Sequence, residues 1–158
     1  MSMDRSVIER YASGAGAVAD AVRGLSDEDA DAFPVPGKWS VRQLAVHLLD
    51  SDLVGTDRMK RVAAERRPLL MGYDENLFLS NLPIGSLNLA LVGEAFRVNR
   101  ETTSAILRGL PDEAFARVGI HSERGVVTLG GLVEDYVAHL DHHLGFMKTK
   151  LAALKRGS

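Results

Sequence analysis

The chain has 158 residues, of which 46% are hydrophobic and 25% are charged, and its formal net charge at pH 7 is -2. This length and composition are typical of one globular domain, so we expect a single domain over residues 1–158. The sequence contains no cysteine, which excludes a disulfide scaffold, an iron–sulfur cluster, a thiolate metal site and a cysteine nucleophile. The slight acidic excess argues against a nucleic-acid-binding domain, because such domains carry a basic excess.

Apolar residues recur at three- and four-residue steps along most of the chain, which predicts helices almost throughout. The first predicted helix covers residues 4–24, although Gly14 and Gly16 weaken it. Residues 26–38 are acidic and contain Pro34 and Pro36, so we expect a connection with one short helical turn.

The second predicted helix has the clearest start signal in the chain. Ser40 is followed three residues later by Gln43, which is typical of a capping box. Trp39 precedes the cap, in the position of a hydrophobic staple residue. We expect this helix to end near Arg66, because Pro68 cannot continue it.

Two further long helices are predicted, over residues 87–108 and 128–155, and a short helix is predicted near residues 76–80. A turn or small hairpin around Arg124 and Gly125 separates the two long helices. Four long amphipathic helices predict an all-α four-helix bundle. The apolar pattern of the third long helix predicts a set of inward-facing residues: Leu91, Ala95, Val98, Thr102, Ala105 and Ile106.

Histidines on two of these helices could form one metal site. His139 and His143 are four residues apart, so their rings lie on the same helix face. At about 100° per residue, His143 and His139 lie roughly 60° and 100° from the centre of the apolar stripe, whereas His142 lies roughly 160° away and faces solvent or a partner. His47 lies roughly 90° from the stripe of the second long helix.

Three imidazoles and a water suit Zn²⁺, and a six-coordinate Ni²⁺ or Fe²⁺ site is equally open. The alternative is that the same three histidines are polar residues at the core edge and bind no metal. The sequence has neither an HExxH motif nor a paired Glu-x-x-His set, which argues against a zincin protease and a di-iron bundle.

Two segments resemble motifs of the DinB/YfiT-like superfamily. Residues 39–48, WSVRQLAVHL, resemble its opening motif. The segment TLGGL at residues 128–132, leading to HLDHH at 139–143, resembles its C-terminal histidine helix. The order of predicted elements agrees over nearly the whole chain.

This resemblance implies a four-helix bundle with up-down-down-up topology, often a homodimer. It also implies a divalent metal ion, commonly Ni²⁺ or Zn²⁺, on three histidines that correspond here to His47, His139 and His143. Members of the superfamily include thiol-dependent S-transferases and isomerases, and proteins classed as metal-dependent hydrolases.

Four further residues are candidates for a catalytic or binding role. Asp52 falls within the apolar ridge of its helix, where it could orient a histidine, accept a proton or pair with an arginine. His121 precedes the last helix and either contacts substrate or lies on the surface. Arg100 could bind an anion in the cleft or lie on a solvated face. Tyr73, in the irregular middle segment, could line the cleft.

The sequence therefore predicts a divalent-metal-dependent enzyme that acts on a small molecule, either as a hydrolase or as an S-transferase for a low-molecular-weight thiol. The alternative is a non-catalytic, metal-binding or stress-related dimeric bundle. We expect no nucleic-acid or membrane partner and a cytoplasmic location, since no secretion signal or apolar span of about 20 residues is present.

Overall fold

The computed structural model describes residues 4–36 and 38–156, except for the side chain of Arg156. Helices dominate these residues, with one small sheet and two 3₁₀ turns, at Ile84–Ser86 and Asp112–Ala116. The α-helices of the described residues are α1 (Ser6–Ser13), α2 (Ala17–Val22), α3 (Asp27–Asp31), α4 (Val41–Ala64), α5 (Glu75–Asn81), α6 (Leu89–Gly109) and α7 (Leu129–Arg156).

The bundle has four helical members. α1 and α2 together form the first, and α4, α6 and α7 form the other three. Both α1 and α2 contact α6 and α7, and α4 also contacts both of these helices. This arrangement confirms the predicted four-helix bundle, and the up-down-down-up order stays a prediction. Among residues 4–36 and 38–156, none of the helices combines the length and the hydrophobicity that a membrane span requires.

The predicted first helix is interrupted near its middle. α1 ends at Ser13 and α2 begins at Ala17, so the glycine-containing turn between them separates two short helices. A Cβ on Gly14 would lie 2.6 Å from Leu140 Cδ2 and 2.8 Å from Arg100 Nη1. The backbone can therefore approach these two side chains only because this residue is a glycine.

The start of α4 follows the predicted pattern. Ser40 Oγ accepts a hydrogen bond from the Gln43 amide at 3.1 Å, and Gln43 Oε1 accepts one from the Ser40 amide at 2.9 Å. The capping box is therefore complete. Trp39 packs against the apolar cluster that includes Leu44, which is where a hydrophobic staple residue is expected. The helix ends at Ala64, two residues before the predicted end.

The predicted hairpin is part of a three-stranded sheet. It consists of β2 (Val118–His121) and β3 (Gly125–Thr128), which pair in antiparallel fashion. The two-residue strand β1 (Leu69–Leu70) adds to β2 in parallel, with Leu70 opposite His121. Gly125 has a φ of 74°, a left-handed conformation that glycine adopts readily at a hairpin turn. The sheet connects the end of α4 to the start of α7.

The prediction of which α6 residues face the core is wrong. Leu91, Val98 and Ile106 are exposed, whereas the buried residues of α6 include several polar ones. The apolar pattern was misleading because this helix buries an arginine and hydroxyl groups that find partners inside the bundle. The buried residues are Leu89, Val92, Gly93, Phe96, Arg100, Thr103, Ser104 and Leu107.

An ion pair between Arg100 and Asp52 lies at the centre of the bundle. Arg100 Nη2 donates to Asp52 Oδ1 at 2.8 Å, and both side chains are almost completely buried. Arg100 also donates to the carbonyl oxygens of Tyr11 at 3.2 Å and Tyr136 at 2.9 Å. Asn99 donates to Asp52 Oδ2 at 3.2 Å. The network therefore joins α1, α4, α6 and α7.

Asp52→Asn should strongly destabilise the protein, because it leaves the buried Arg100 charge without its counterion. Breaking one partner of a buried pair costs about 3–5 kcal/mol of unfolding free energy. The matched control is Asp57→Asn on the same helix, since Asp57 is exposed and forms an i,i+4 pair with Arg61 that is worth less than about 0.5 kcal/mol. Urea unfolding of both variants measures the difference, and equal losses would contradict the central role of the pair.

Candidate metal centre

Three histidines from two helices converge at one point. His47 Nε2, on α4, lies 3.1 Å from His139 Nε2 and 3.2 Å from His143 Nε2, both on α7. One nitrogen from each ring lies within 4.8 Å of the others. The i,i+4 spacing on α7 places two rings on one face, and the contact between α4 and α7 supplies the third. The three histidines identified from the sequence therefore form one cluster.

The spacing of the nitrogens fits a shared metal ion. Two imidazole nitrogens bound to one ion at 2.0–2.1 Å lie about 3.3–3.4 Å apart in a tetrahedral arrangement and about 2.9 Å apart at right angles. The observed separations, 3.1 and 3.2 Å, fall between these values. The cluster therefore fits a divalent ion in either geometry, and the donor set does not select the metal.

The second nitrogens of two rings have no partner among the residues that the structure describes. Nδ1 of His47 and Nδ1 of His143 are buried, and neither forms a hydrogen bond with a described residue. Buried polar atoms are almost always paired, so an unpaired set needs an explanation. Ligation of an ion through Nε2 would fix the ring proton on Nδ1, so the ion would not pair these atoms itself and each N–H would remain a donor for a further acceptor.

Burial keeps all three imidazoles neutral at pH 7. Removal from water lowers the pKa of His47 to about 4, with a further contribution from His143. Burial likewise lowers the pKa values of His139 and His143 to about 4. A neutral imidazole can present a lone pair to a metal ion, so these rings need not lose a proton first.

Trp39 covers one side of the cluster. The ring centroids of Trp39 and His47 are 4.9 Å apart. The indole is also nearly parallel to the His143 ring, at 13° and a centroid distance of 6.2 Å. The residue that precedes the cap of α4 therefore shields two of the three imidazoles from water.

On another side, the cluster opens into a polar cleft of about 400 Å³. Tyr73 and Ser51 face each other across a hydrogen bond between their hydroxyl groups. Arg58 donates to Tyr136 Oη at 3.1 Å and to the Met71 carbonyl at 2.6 Å. The cleft is lined by His47, Ser51, Arg58, Tyr73, Glu75, Arg124, Asp135, Tyr136, His139 and His143.

Comparison with known proteins identifies the family. Residues 12–147 match the model of the DinB superfamily. The chain belongs to the DinB superfamily. Its motif-bearing helices are α4 and α7, which carry the three converging histidines of this DinB domain.

Relatives of this DinB chain are named for metal-dependent hydrolysis. A "putative metal-dependent hydrolase" of Oceanobacillus iheyensis is 33% identical over 76% of this chain and 69% of its own length. The "putative metal-dependent hydrolase YfiT" of Bacillus subtilis is 32% identical over 78% of this chain and 70% of its own length.

Two solved structures share the fold of this DinB domain. YfiT from Bacillus subtilis, described as a probable metal-dependent hydrolase with an unusual four-helix bundle topology, superposes with a TM-score of 0.85. That comparison covers 92% of this chain and 83% of YfiT, at 25% identity. A DinB-like protein of the same organism, YjoA, superposes with a TM-score of 0.66 at 18% identity, over 97% of this chain and 92% of YjoA.

The other candidates from the sequence lie elsewhere in the DinB fold. Asp52 and Arg100 pair with each other in the core, which is the arginine pairing considered for Asp52. His121 is buried at the end of β2, where its Nδ1 accepts a hydrogen bond from the Glu123 amide at 3.2 Å. Burial and the charges of Arg58 and Arg124 lower the pKa of His121. None of the three lines the polar cleft.

Several cleft residues of this DinB chain were not identified from the sequence. Ser51 follows His47 by four residues, and Tyr136 precedes His139 by three, so helical spacing placed both beside a histidine. Arg124 enters the cleft through the hairpin, which gives no spacing signal. Tyr73 was proposed as a cleft residue and lies there.

Acid should destabilise the metal-free protein. In the unfolded chain the pKa of His47 returns to about 6.5, whereas in the folded chain it is about 4. Between these values the unfolded state binds more protons, so the free energy of unfolding falls as the pH is lowered from 6.5 to 4. His47→Asn should reduce the slope of the unfolding free energy against pH. His142→Asn, which replaces an exposed histidine, should leave that slope unchanged. Urea unfolding at several pH values gives both slopes, and an unchanged slope in His47→Asn would contradict the prediction.

Proposed function

We propose that the protein is a divalent-metal-dependent hydrolase whose ion is held by His47, His139 and His143. The observation that carries this proposal is the convergence of three neutral imidazoles beside an open polar cleft. The names of the Oceanobacillus and Bacillus relatives support the same reaction class. Nitrogen-only ligation suits Zn²⁺ or Ni²⁺, and also Fe²⁺.

A bound divalent ion lowers the pKa of a coordinated water and polarises a carbonyl or phosphoryl oxygen. The three histidines occupy one side of the centre, and the polar cleft leaves room for a small-molecule substrate on another. This open arrangement favours catalysis over a purely structural metal, because a structural site is closed by protein ligands.

Tyr73 is placed to donate a hydrogen bond to the substrate. Burial raises the pKa of its hydroxyl to about 12, so the group keeps its proton at neutral pH. Its bond with Ser51 holds the phenol at the wall of the cleft. A fixed, protonated hydroxyl can stabilise the negative charge that develops on oxygen during hydrolysis.

Charged side chains give the cleft both an anion-binding and a proton-accepting side. Arg58 lines the cleft, where Tyr136 and the Met71 carbonyl hold its guanidinium in place. The guanidinium supplies positive charge for an anionic group of the substrate. The Glu75 carboxylate lines the same cleft and is the group we assign as proton acceptor.

Metal content and ester hydrolysis test the proposal together. Metal-reconstituted protein should retain about one Zn²⁺ or Ni²⁺ per chain and hydrolyse 4-nitrophenyl acetate, because an ion bound by all three imidazoles activates water. His143→Ala should lose both the ion and the activity, whereas His142→Ala, which removes the adjacent exposed ring, should lose neither. Plasma mass spectrometry and the release of 4-nitrophenolate measure the two effects.

Three outcomes would redirect or end this proposal. Equal metal content in wild type and His143→Ala would remove the metal centre. Stoichiometric metal with no turnover would leave a non-catalytic metal-binding bundle. Turnover that requires added glutathione would indicate an S-transferase for a low-molecular-weight thiol, since the chain supplies no cysteine of its own.

We also propose that the protein is a homodimer that pairs through α6. Leu91, Val98 and Ile106 form an exposed apolar row on this helix, at spacings of seven and eight residues. Such a row is typical of a helix that packs against another helix, and it has no partner among the described residues. A second copy of the same helix would cover it by two-fold symmetry.

Val98→Lys should weaken the dimer at least about tenfold, because it places a charge in the centre of the apolar row. Sedimentation equilibrium measures the dissociation constant. Val126→Lys is the control, since Val126 is an exposed valine on the hairpin, away from α6. A monomeric wild type, or an equal effect of the two substitutions, would contradict the proposal.

A further inference from the structure

A second pocket of about 400 Å³ lies on the other side of His143 from the polar cleft. Its walls are formed mainly by apolar side chains, including Trp39, Leu44 and Phe146. Phe146 is half exposed, so its ring forms part of the rim. His143 lines both this apolar pocket and the polar cleft, and it is the one histidine of the cluster to do so.

Two lysines also line the apolar pocket. Lys150 is only 4% exposed, and no described residue forms an ion pair or a hydrogen bond with its ammonium group. Lys38 lines the pocket as well, and no acidic residue does. Burial lowers the pKa of Lys150, and the positive charge of Lys38 lowers it further. Two like charges therefore act on one apolar pocket without a counterion.

The lining of the apolar pocket carries positive charge and no negative charge. Lys150 as a whole residue is only 4% exposed, but its ammonium nitrogen is not one of the buried atoms without a partner. Its carbon chain therefore covers apolar surface while the ammonium group reaches water. Lys38 is exposed at the same pocket, so two ammonium groups lie beside apolar walls with no lining carboxylate.

We propose that the apolar pocket binds an organic anion with an apolar body, whose charged group lies between Lys38 and Lys150. The apolar body packs against Trp39 and Phe146, and the anion supplies the missing counterion. Pockets of about 300–1,000 Å³ accommodate small organic ligands, so the volume is sufficient. Lysine binds as a point charge, so the site takes a carboxylate or a phosphate.

This ligand class deepens the proposed function. Because His143 belongs to both the pocket and the metal cluster, a bound anion would hold the rest of the same molecule next to the centre. The substrate class would then be small esters or amides that carry an anionic group on an apolar arm. That last step rests on the proposed hydrolase function, whereas binding of the anion itself does not.

Trp39 provides a direct measurement, because it is the single tryptophan of the sequence and lines the pocket. We expect hexanoate to change its fluorescence saturably. 1-Hexanol, which lacks the charge, and acetate, which lacks the chain, should bind at least about tenfold more weakly. A titration with octyl phosphate tests in the same way whether the pocket accepts a phosphate in place of a carboxylate.

Variants of the two lysines distinguish binding at the pocket from a general effect of the protein's positive charges. Lys150→Met and Lys38→Met should each weaken hexanoate binding about tenfold, while Lys148→Met, an exposed lysine on the same helix, should leave it unchanged. Lys38 is exposed, so its replacement tests the site even if Lys150→Met is unstable. Thermal melting of each variant controls for folding.

The inference would be overturned by equal affinity for hexanoate and 1-hexanol, or by an equal loss of affinity in Lys148→Met and both pocket variants. Absence of a saturable fluorescence change would also overturn it. The titrations are repeated on metal-free and metal-loaded protein, with metal content measured in parallel. If hexanoate does not bind while the protein retains its metal ion, only the proposal of an anion-binding pocket is refuted. If hexanoate binds but the protein retains no metal ion, only the proposal of a metal-dependent hydrolase is refuted.

Discussion

The buried pair between Arg100 and Asp52 is the interaction on which the rest of the structure depends. It connects α6 to α4, and through the carbonyls of Tyr11 and Tyr136 it also connects α1 and α7. A buried pair of this kind gives little net stability compared with apolar packing, but its geometry admits few alternative helix registers. It also explains Gly14, which leaves space for the guanidinium. We infer that the pair fixes how the four helices align.

That alignment determines the metal centre. Asp52 follows His47 by five residues on α4, and Tyr136, whose carbonyl accepts from Arg100, precedes His139 by three on α7. The register of these two helices is therefore set within about one turn of the histidines. Gly55 contributes as well, since a Cβ there would lie 2.3 Å from the Tyr136 ring. The close approach of α4 and α7 at this point brings His47 to the pair on α7.

Much of this arrangement could be predicted from the sequence, because helix periodicity and capping are local. The cap at Ser40, the exposed position of His142 and the shared face of His139 and His143 all followed from spacing along single helices. The convergence of His47 with that pair involves two helices, and the resemblance to the superfamily implied it. The buried face of α6 could not be predicted in this way, because Arg100, Thr103 and Ser104 are buried through partners on other helices. The roles of Tyr73 and Arg124 likewise depend on how a loop and a hairpin pack against the bundle. The place of Lys150 in the apolar pocket likewise depends on the packing of Trp39 and Phe146, which lie far from each other in the sequence.

The central claim is that one ion is bound by three imidazoles with room for further ligands. X-ray absorption spectroscopy of the Zn²⁺- or Ni²⁺-loaded protein tests it most directly, because imidazole rings give a distinctive outer-shell pattern. The account predicts three imidazole nitrogens at about 2.0–2.1 Å and at least one additional light-atom ligand. A spectrum with one imidazole or none, or a fully oxygen-ligated ion, would contradict it.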